Sequence, residues 1–339
     1  MSEQYPGFGP APQKPENPFL KIGILVILLL VLSALLIHFN IVSCGFYSQV
    51  GCEVYYGIIA GGKPRVLIVH ANSGMGDPQL LFDTLKSARI GARVSTRELE
   101  STTLPLLQQN QLVIVEKAQK MSLQDIKMFQ DYASRGGRLI WTGDAGTKKN
   151  DNESDQNYFL KFSDRKVGGS EEFIGPWARR SGDNQVSFDY LLGVQFVGNY
   201  CTIKACDKSE ITGYFDFPNQ SDKLSNGLTQ GLPFYGDFSL VKLNDSGTQK
   251  VIAFIDYRAN FISDKNNAAG DYFWLSKESQ NFGRNFPAIV SSGLGGRVAY
   301  YSFPPEYFVS EQMPVDKTTE EKIAYWGLIE NMYFGMLYK

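Results

Sequence analysis

The sequence predicts an α/β fold: a mostly parallel open sheet with β-rich insertions, preceded by one apolar helix. Three observations predict it. Residues 66–69 and 112–115 are continuous apolar runs of strand length, the pattern of strands buried on both faces. Helical patterns alternate with such runs over residues 65–146, as in a parallel sheet with right-handed crossovers. Residues 19–37 carry Lys21 as their only charge, and no further charge follows until Glu53.

In chain order, residues 1–18 are rich in Pro and Gly, with little to bury, and read as a disordered tail. Residues 19–43 hold the ~20 apolar residues a bilayer core requires and predict a transmembrane helix. Residues 44–64 form a juxtamembrane connector, and residues 65–339 form the α/β domain with an excursion at about 147–230. Within that domain, the run at 65–69 is the first strand. Asp77 caps a helix with Pro78 in its first turn and Leu80, Leu81, Leu85 and Ala88 as its apolar stripe. Residues 92–99 alternate as a second strand, 104–111 form a short helix, and 112–115 are the third strand. Ser122 caps the next helix, Gly136 and Gly137 end it, and the fourth strand runs into the turn Gly143-Asp144-Ala145-Gly146. Residues 186–192 predict a short helix. Strands are expected at 195–203, 210–216, 238–243, 251–257, 288–291 and 298–303, the last two as a hairpin, before a closing helix at 320–337.

Composition bounds function. The 339 residues are 43% hydrophobic and 20% charged, so a real core is available. A net charge of −2 without a basic block makes nucleic acid a poor partner. The 18 Tyr and 23 Phe point to β-rich packing, with a glycan- or peptide-binding face as the alternative. Lys14 and Lys21 precede the apolar run and no Lys or Arg follows within twenty residues. The expected topology is therefore a single-pass signal-anchor, with a cytoplasmic N-terminus and an extracytoplasmic domain on the membrane's outer face. The cysteines form two close pairs, Cys44 with Cys52 and Cys201 with Cys206, which suits disulfides in an oxidising compartment. A cleaved leader is the rival, because residues 41–44 resemble a lipobox that would lipidate Cys44. Neither pair has the spacing of a zinc site, and no metal or cofactor is expected. Sequons at Asn152, Asn219 and Asn244 add weak support for an external domain. Arg179 and Arg180 read as solvated surface.

Four passages carry a resemblance: RVLIVHANSG (65–74), FQDYASRGGRLIWTGDAG (129–146), LSNGLTQGLP (224–233) and FPAIVSSGLGGRVAYYSFPPEYF (286–308). In this order they resemble the class I glutamine amidotransferase-like fold, a flavodoxin-like architecture, in a divergent branch and over roughly residues 65–338. The resemblance implies a nucleophile elbow at residues 143–146. Catalytic members place a Cys there, served by a His. This turn has Asp144 and neither Cys nor Ser, and the two His are His38, in the apolar run, and His70. The resemblance therefore implies a non-catalytic scaffold, as in some transporter-accessory, intraflagellar-transport and oligosaccharyltransferase subunits.

Ligands of open α/β sheets sit at the carboxyl ends of the strands. His70, Asn72, Glu116 and Asp144 fall there. His70, Asn72 and Asp144 are the candidate ligand-binding residues. His70, Glu116 and Asp144 are the candidate catalytic set if the chain is a hydrolase with a non-standard site; loop capping is the competing role for the Asp and Asn. The expected function is a binding or scaffolding subunit of a membrane or envelope complex, with the lipid bilayer and a protein as partners. A hydrolase and a carbohydrate-binding module taking a glycan are the alternatives.

Overall fold

The computed structural model describes residues 18–38, 62–150, 175–181, 183–203, 206–207, 209–244, 249–257, 285–293, 295–310 and 317–337. The chain divides into two compact units, Met1–Gly62 and Lys63–Lys339.

In the first unit a helix, α1, covers Pro18–His38. Among the described residues, no helix is long and apolar enough to cross a membrane. That finding overturns the expected transmembrane helix, the single-pass signal-anchor and the N-in, C-out location built on them. Cys44 and Cys52, with the proposed bridge or lipid, lie outside the described residues.

The second unit starts with β1 (Arg65–His70), α2 (Pro78–Lys86), β2 (Arg93–Glu98), α3 (Leu104–Gln108), β3 (Leu112–Val115), α4 (Leu123–Ser134) and β4 (Arg138–Thr142). It continues through β5 (Ala178–Ser181), β6 (Asn184–Ser187), α5 (Phe188–Leu192), β7 (Val194–Asn199), α6 (Tyr200–Ile203), β8 (Ile211–Asp216), β9 (Leu232–Tyr235) and β10 (Ser239–Leu243). It closes with β11 (Lys250–Asp256), β12 (Asn285–Ser292), β13 (Val298–Tyr301), a 3-10 turn (Pro305–Val309) and α7 (Thr319–Leu337).

Nine strands form one sheet in the order β2-β1-β3-β4-β13-β12-β11-β8-β9. The pairings from β2 to β13 are parallel, and those from β13 to β9 are antiparallel. The expected α/β class with a large sheet holds, and the β-rich additions supply its antiparallel half. Separate two-stranded ladders pair β10 with β7 and β5 with β6.

Both faces of the parallel half are covered, which is why its strands read as unbroken apolar runs. Leu67, Val69, Val113, Val115, Leu139 and Trp141 join Phe129 of α4 and Phe188 of α5 in one core cluster. Their neighbours Val66, Ile68, Leu112, Ile114 and Ile140 are fully buried as well. Among the described aromatics, Phe215, Phe234, Phe238, Phe303 and Phe308 are interior and meet one another ring to ring. Tyr190 is the one strongly exposed aromatic among the described residues.

Helix starts follow the expected chemistry. The Asp77 carboxylate accepts from the N–H groups of Gln79 and Leu80, and Ser122 forms a reciprocal capping box with Asp125. Beyond α4, Gly136 adopts φ +95°, and a Cβ on Gly137 would lie 2.4 Å from the Tyr132 ring. Only glycine lets that ring close over the turn.

Three expectations are corrected here. Residues 200–203 coil into α6 instead of extending β7. The hairpin of β5 and β6 and the strand β9 had no counterpart in the pattern. Arg179 is fully buried, not solvated. Its guanidinium donates to the carbonyls of Pro176, Met121, Gly146 and Lys148, tying β5 to the turn after β4.

Candidate functional site

The chain passes from β1 to the edge strand β2, then back across β1 to β3. Crossovers of one hand then leave the sheet on opposite faces on the two sides of the β1/β3 boundary, opening a crevice at their carboxyl ends. The loop after β1 forms one wall. It is stitched to the loop after β3 by Ala71 N–H to Lys117 O (3.1 Å), Lys117 N–H to Met75 O (2.7 Å) and Gln119 N–H to Ser73 O (2.8 Å). Lys117 sits at φ +48°, the one non-glycine residue with positive φ among those described, which marks this junction as strained.

Asp144 lies at the end of β4, where an elbow nucleophile would stand, and is 2% exposed. Oδ1 accepts the Met75 N–H at 2.8 Å. Oδ2 accepts from Gln119 Nε2 at 2.5 Å and Asn199 Nδ2 at 3.0 Å. One carboxylate thus joins the loops after β1 and β3 to the end of β7. The positive φ values of this turn fall on Gly143 and Gly146, not on Asp144. The turn is also clamped from behind, because the Ala145 carbonyl accepts from the indole N–H groups of both Trp141 and Trp177. An elbow must present its residue outward on a strained backbone; Asp144 is turned inward on a relaxed one.

Glu116, one residue beyond β3, is fully buried, as is Glu306 on the 3-10 turn. No donor among the described residues reaches either Glu116 oxygen. Glu306 Oε1 accepts the Asp77 N–H at 3.0 Å, while Oε2 has no donor among the described residues. Burial first, then the carboxylates of Glu306 and Asp77, push Glu116 well above the usual carboxylate range. Burial likewise raises Glu306 to about 7.

The loop over these acids consists of glycine for a steric reason. A Cβ on Gly74 would stand 2.8 Å from Asp144 Oδ1, and one on Gly76 3.0 Å from Glu116 Oε2. Both glycines also hold φ near +113°, a region other residues avoid.

His70 is half-buried at the end of β1, and Asn72 is exposed. Asn72 lines a cleft of about 620 Å³ with Ala71, Ser73, Glu98, Glu100, Lys120 and Asn150. The structure thus brings Asn72 into a concave site. Asp144, with its three donors, lies against Gly74 of the loop that follows β1, and Glu116 lies against Gly76. Glu98, Glu100, Lys120 and Asn150 were not singled out from the sequence. Their signal is positional: each follows a strand or loop that ends at the switch point. Glu306 lies in the last passage of the resemblance, which assigns it no role.

Cys201 and Cys206 are disulfide-bonded, with Cα atoms 5.1 Å apart. Their sulfurs and an Asp237 carboxylate oxygen lie within 4.8 Å of one another, the one grouping of metal-ligating type found among the described residues. Asn244 is buried with its Nδ2 on Asp189, so that sequon is not presented for glycosylation.

Fold and site together define an α/β domain with a polar cleft at its topological switch point and an inward-facing acid at the elbow. No protein-family model and no curated protein matches the sequence. Among solved structures, a ThuA-like protein from Bacteroides uniformis is similar at 12% identity and TM-score 0.47, over 80% of this chain and 90% of that one. A GMP synthase component from Thermoplasma acidophilum follows at 9% identity and TM-score 0.41, over 80% and 94%. A β-galactosidase from Rahnella sp. R3 shows 14% identity and TM-score 0.45, over 85% of this chain but only 35% of the enzyme. These neighbours include amidotransferase-like folds at low identity, and likenesses this distant carry no statement about activity.

Proposed function

We propose that the α/β unit is a non-hydrolytic binding domain that takes a small polyhydroxylated ligand, such as a glycan fragment, in the cleft at the β1/β3 switch point. One observation carries this reading: the cleft's size together with its polar lining. A volume of about 620 Å³ falls in the usual ~300–1,000 Å³ of small-molecule sites. The wall offers amides from Asn72 and Asn150, a hydroxyl from Ser73, carboxylates from Glu98 and Glu100 and an ammonium from Lys120. Each ligand hydroxyl both donates and accepts, so a mixed lining can satisfy many of them. With Glu98, Glu100 and Asp125 against Lys120, the charge balance disfavours a polyanion. Ala71 and Leu99 are the apolar residues of the lining.

The hydrolase reading is less well supported, since Asp144 is already held by three donors and Glu116 is fully buried. An aromatic glycan platform is not favoured either, because Phe215, Phe234, Phe238, Phe303 and Phe308 are interior.

The test is a thermal-shift screen of the folded chain against neutral mono- and oligosaccharides. A stabilising hit is expected, and Asn72→Ala with Asn150→Ala should abolish it while leaving the unliganded melting temperature within a degree or two. Failure of every saccharide to stabilise the protein, or turnover of any of them, contradicts the reading.

A further inference from the structure

We propose that Cys201, Cys206 and Asp237 form a redox-gated site for a thiophilic divalent cation of the zinc type. It is closed while the cysteines are bridged and takes one ion once they are reduced. The site is independent of the cleft proposed above.

The argument begins with backbone register. β7 and β10 pair antiparallel, with Asn199 opposite Ser239. One step beyond, the Tyr200 N–H donates to the Phe238 carbonyl at 2.9 Å, and the two rings stack with centroids 5.1 Å apart. Both residues are buried. A second step sets Cys201 against Asp237, whose Oδ1 accepts the N–H groups of Cys201 at 2.8 Å and of Phe238 at 2.9 Å. Behind Asp237, the Gly236 carbonyl accepts the buried Thr212 hydroxyl at 2.9 Å. The acid and the first cysteine are thus brought together by the ladder and its aromatic stack, with no help from the disulfide. Cys206 follows Cys201 by five residues, which keeps its thiol near after reduction. All three residues are half-buried, so an ion can reach them from solvent.

The two sulfurs and one carboxylate oxygen lie within 4.8 Å of one another. Zn–S bonds of ~2.3 Å and Zn–O bonds of ~2.0–2.2 Å set the ligand atoms of a tetrahedral ion about 3.5–3.8 Å apart, so parting the sulfurs brings the group to that shape. A cystine sulfur is neutral and ligates poorly. Two thiolates with a carboxylate make a soft, anionic set that selects zinc over calcium or magnesium. The fourth tetrahedral position goes to water. The sequence spacing of the cysteines hides this arrangement, because the third ligand arrives from a separate segment.

Opening the site takes a dithiol reductant. It supplies two electrons and two protons: the Cys201–Cys206 bond breaks, each sulfur gains a proton, and the reductant closes as its own disulfide. The ion then displaces both thiol protons into solvent.

Zinc titration of the full chain carrying Cys44→Ser and Cys52→Ser, which removes the other two thiols, tests this before and after reduction. A phosphine serves as the reductant in the tube and leaves as its oxide, with oxygen from water. One equivalent of zinc should bind after reduction only. Cobalt(II) in its place should show thiolate charge-transfer absorption and the strong visible bands of a tetrahedral ion. Asp237→Asn keeps an oxygen for the two N–H groups but loses the charge; it should weaken zinc binding by at least about tenfold and change the visible bands. If the doubly substituted background does not fold, the same comparison is made between the unsubstituted chain and its Asp237→Asn variant. Three results would overturn the proposal: no uptake after reduction, equal uptake by the oxidised protein, or an Asp237→Asn variant that binds as the parent does. Loss of the cooperative melting transition on reduction would also overturn it, because the ladder would then not hold the ligands in place.

Discussion

At the scale of single residues, the carboxyl edge of the sheet is organised by acids that face inward. Asp144 is the clearest case. Its position after the fourth strand is legible in the sequence, but its role is not, because Met75, Gln119 and Asn199 reach it from three separate segments. Asp144→Asn keeps the shape but turns an acceptor into a donor facing donors. It should lower unfolding free energy by about 2–3 kcal/mol in urea denaturation, the scale of hydrogen bonds to a buried charge. An unchanged midpoint would remove Asp144 from the framework. Glu116 makes a prediction in pH. Its folded pKa is raised, as is that of Glu306, so the native state holds protons that the unfolded chain releases near pH ~4.3. Stability should therefore be greatest below that value and fall as pH rises toward the native pKa, by about 1.4 kcal/mol per pH unit for each proton. For Glu306 that fall ends near about 7. Glu116→Gln should flatten the curve between those limits, and a parallel decline in wild type and variant would refute the assignment.

At the scale of elements, legibility followed burial. Strands β1 and β3 are covered on both faces, so their apolar runs were unmistakable. Helices α2 and α4 carried explicit caps at Asp77 and Ser122. What was missed lacked such signals. Strand β9 contains Pro233, and β5 carries Arg179 and Arg180, which resemble surface until the carbonyls that receive Arg179 are in place. Arg179→Ala should strand those carbonyls in the interior and cost about 3 kcal/mol in the same denaturation assay. Ser122→Ala, which removes one cap, should cost only ~1 kcal/mol. If the two variants were equally mild, Arg179 would be no strut. Reduction of Cys201–Cys206, which closes a short loop, should lower stability by about 2 kcal/mol.

At the scale of the whole unit, a nine-stranded sheet turns from parallel to antiparallel at β13, and its switch point lies in the parallel half. The α/β class and the carboxyl-edge location of Asn72 were readable because strand order in such folds follows local alternation. The cleft itself was not, because Glu98, Lys120 and Asn150 converge only once β2, β1 and β3 are set side by side. The most direct test of the cleft as a binding site is amide and side-chain NMR shift mapping with the best saccharide from the thermal screen. Perturbations should concentrate at Asn72, Ser73, Glu98, Glu100, Lys120 and Asn150, and should disappear in the Asn72→Ala, Asn150→Ala variant. Shifts centred elsewhere on the molecule, or cleavage of the saccharide during the titration, would contradict the account.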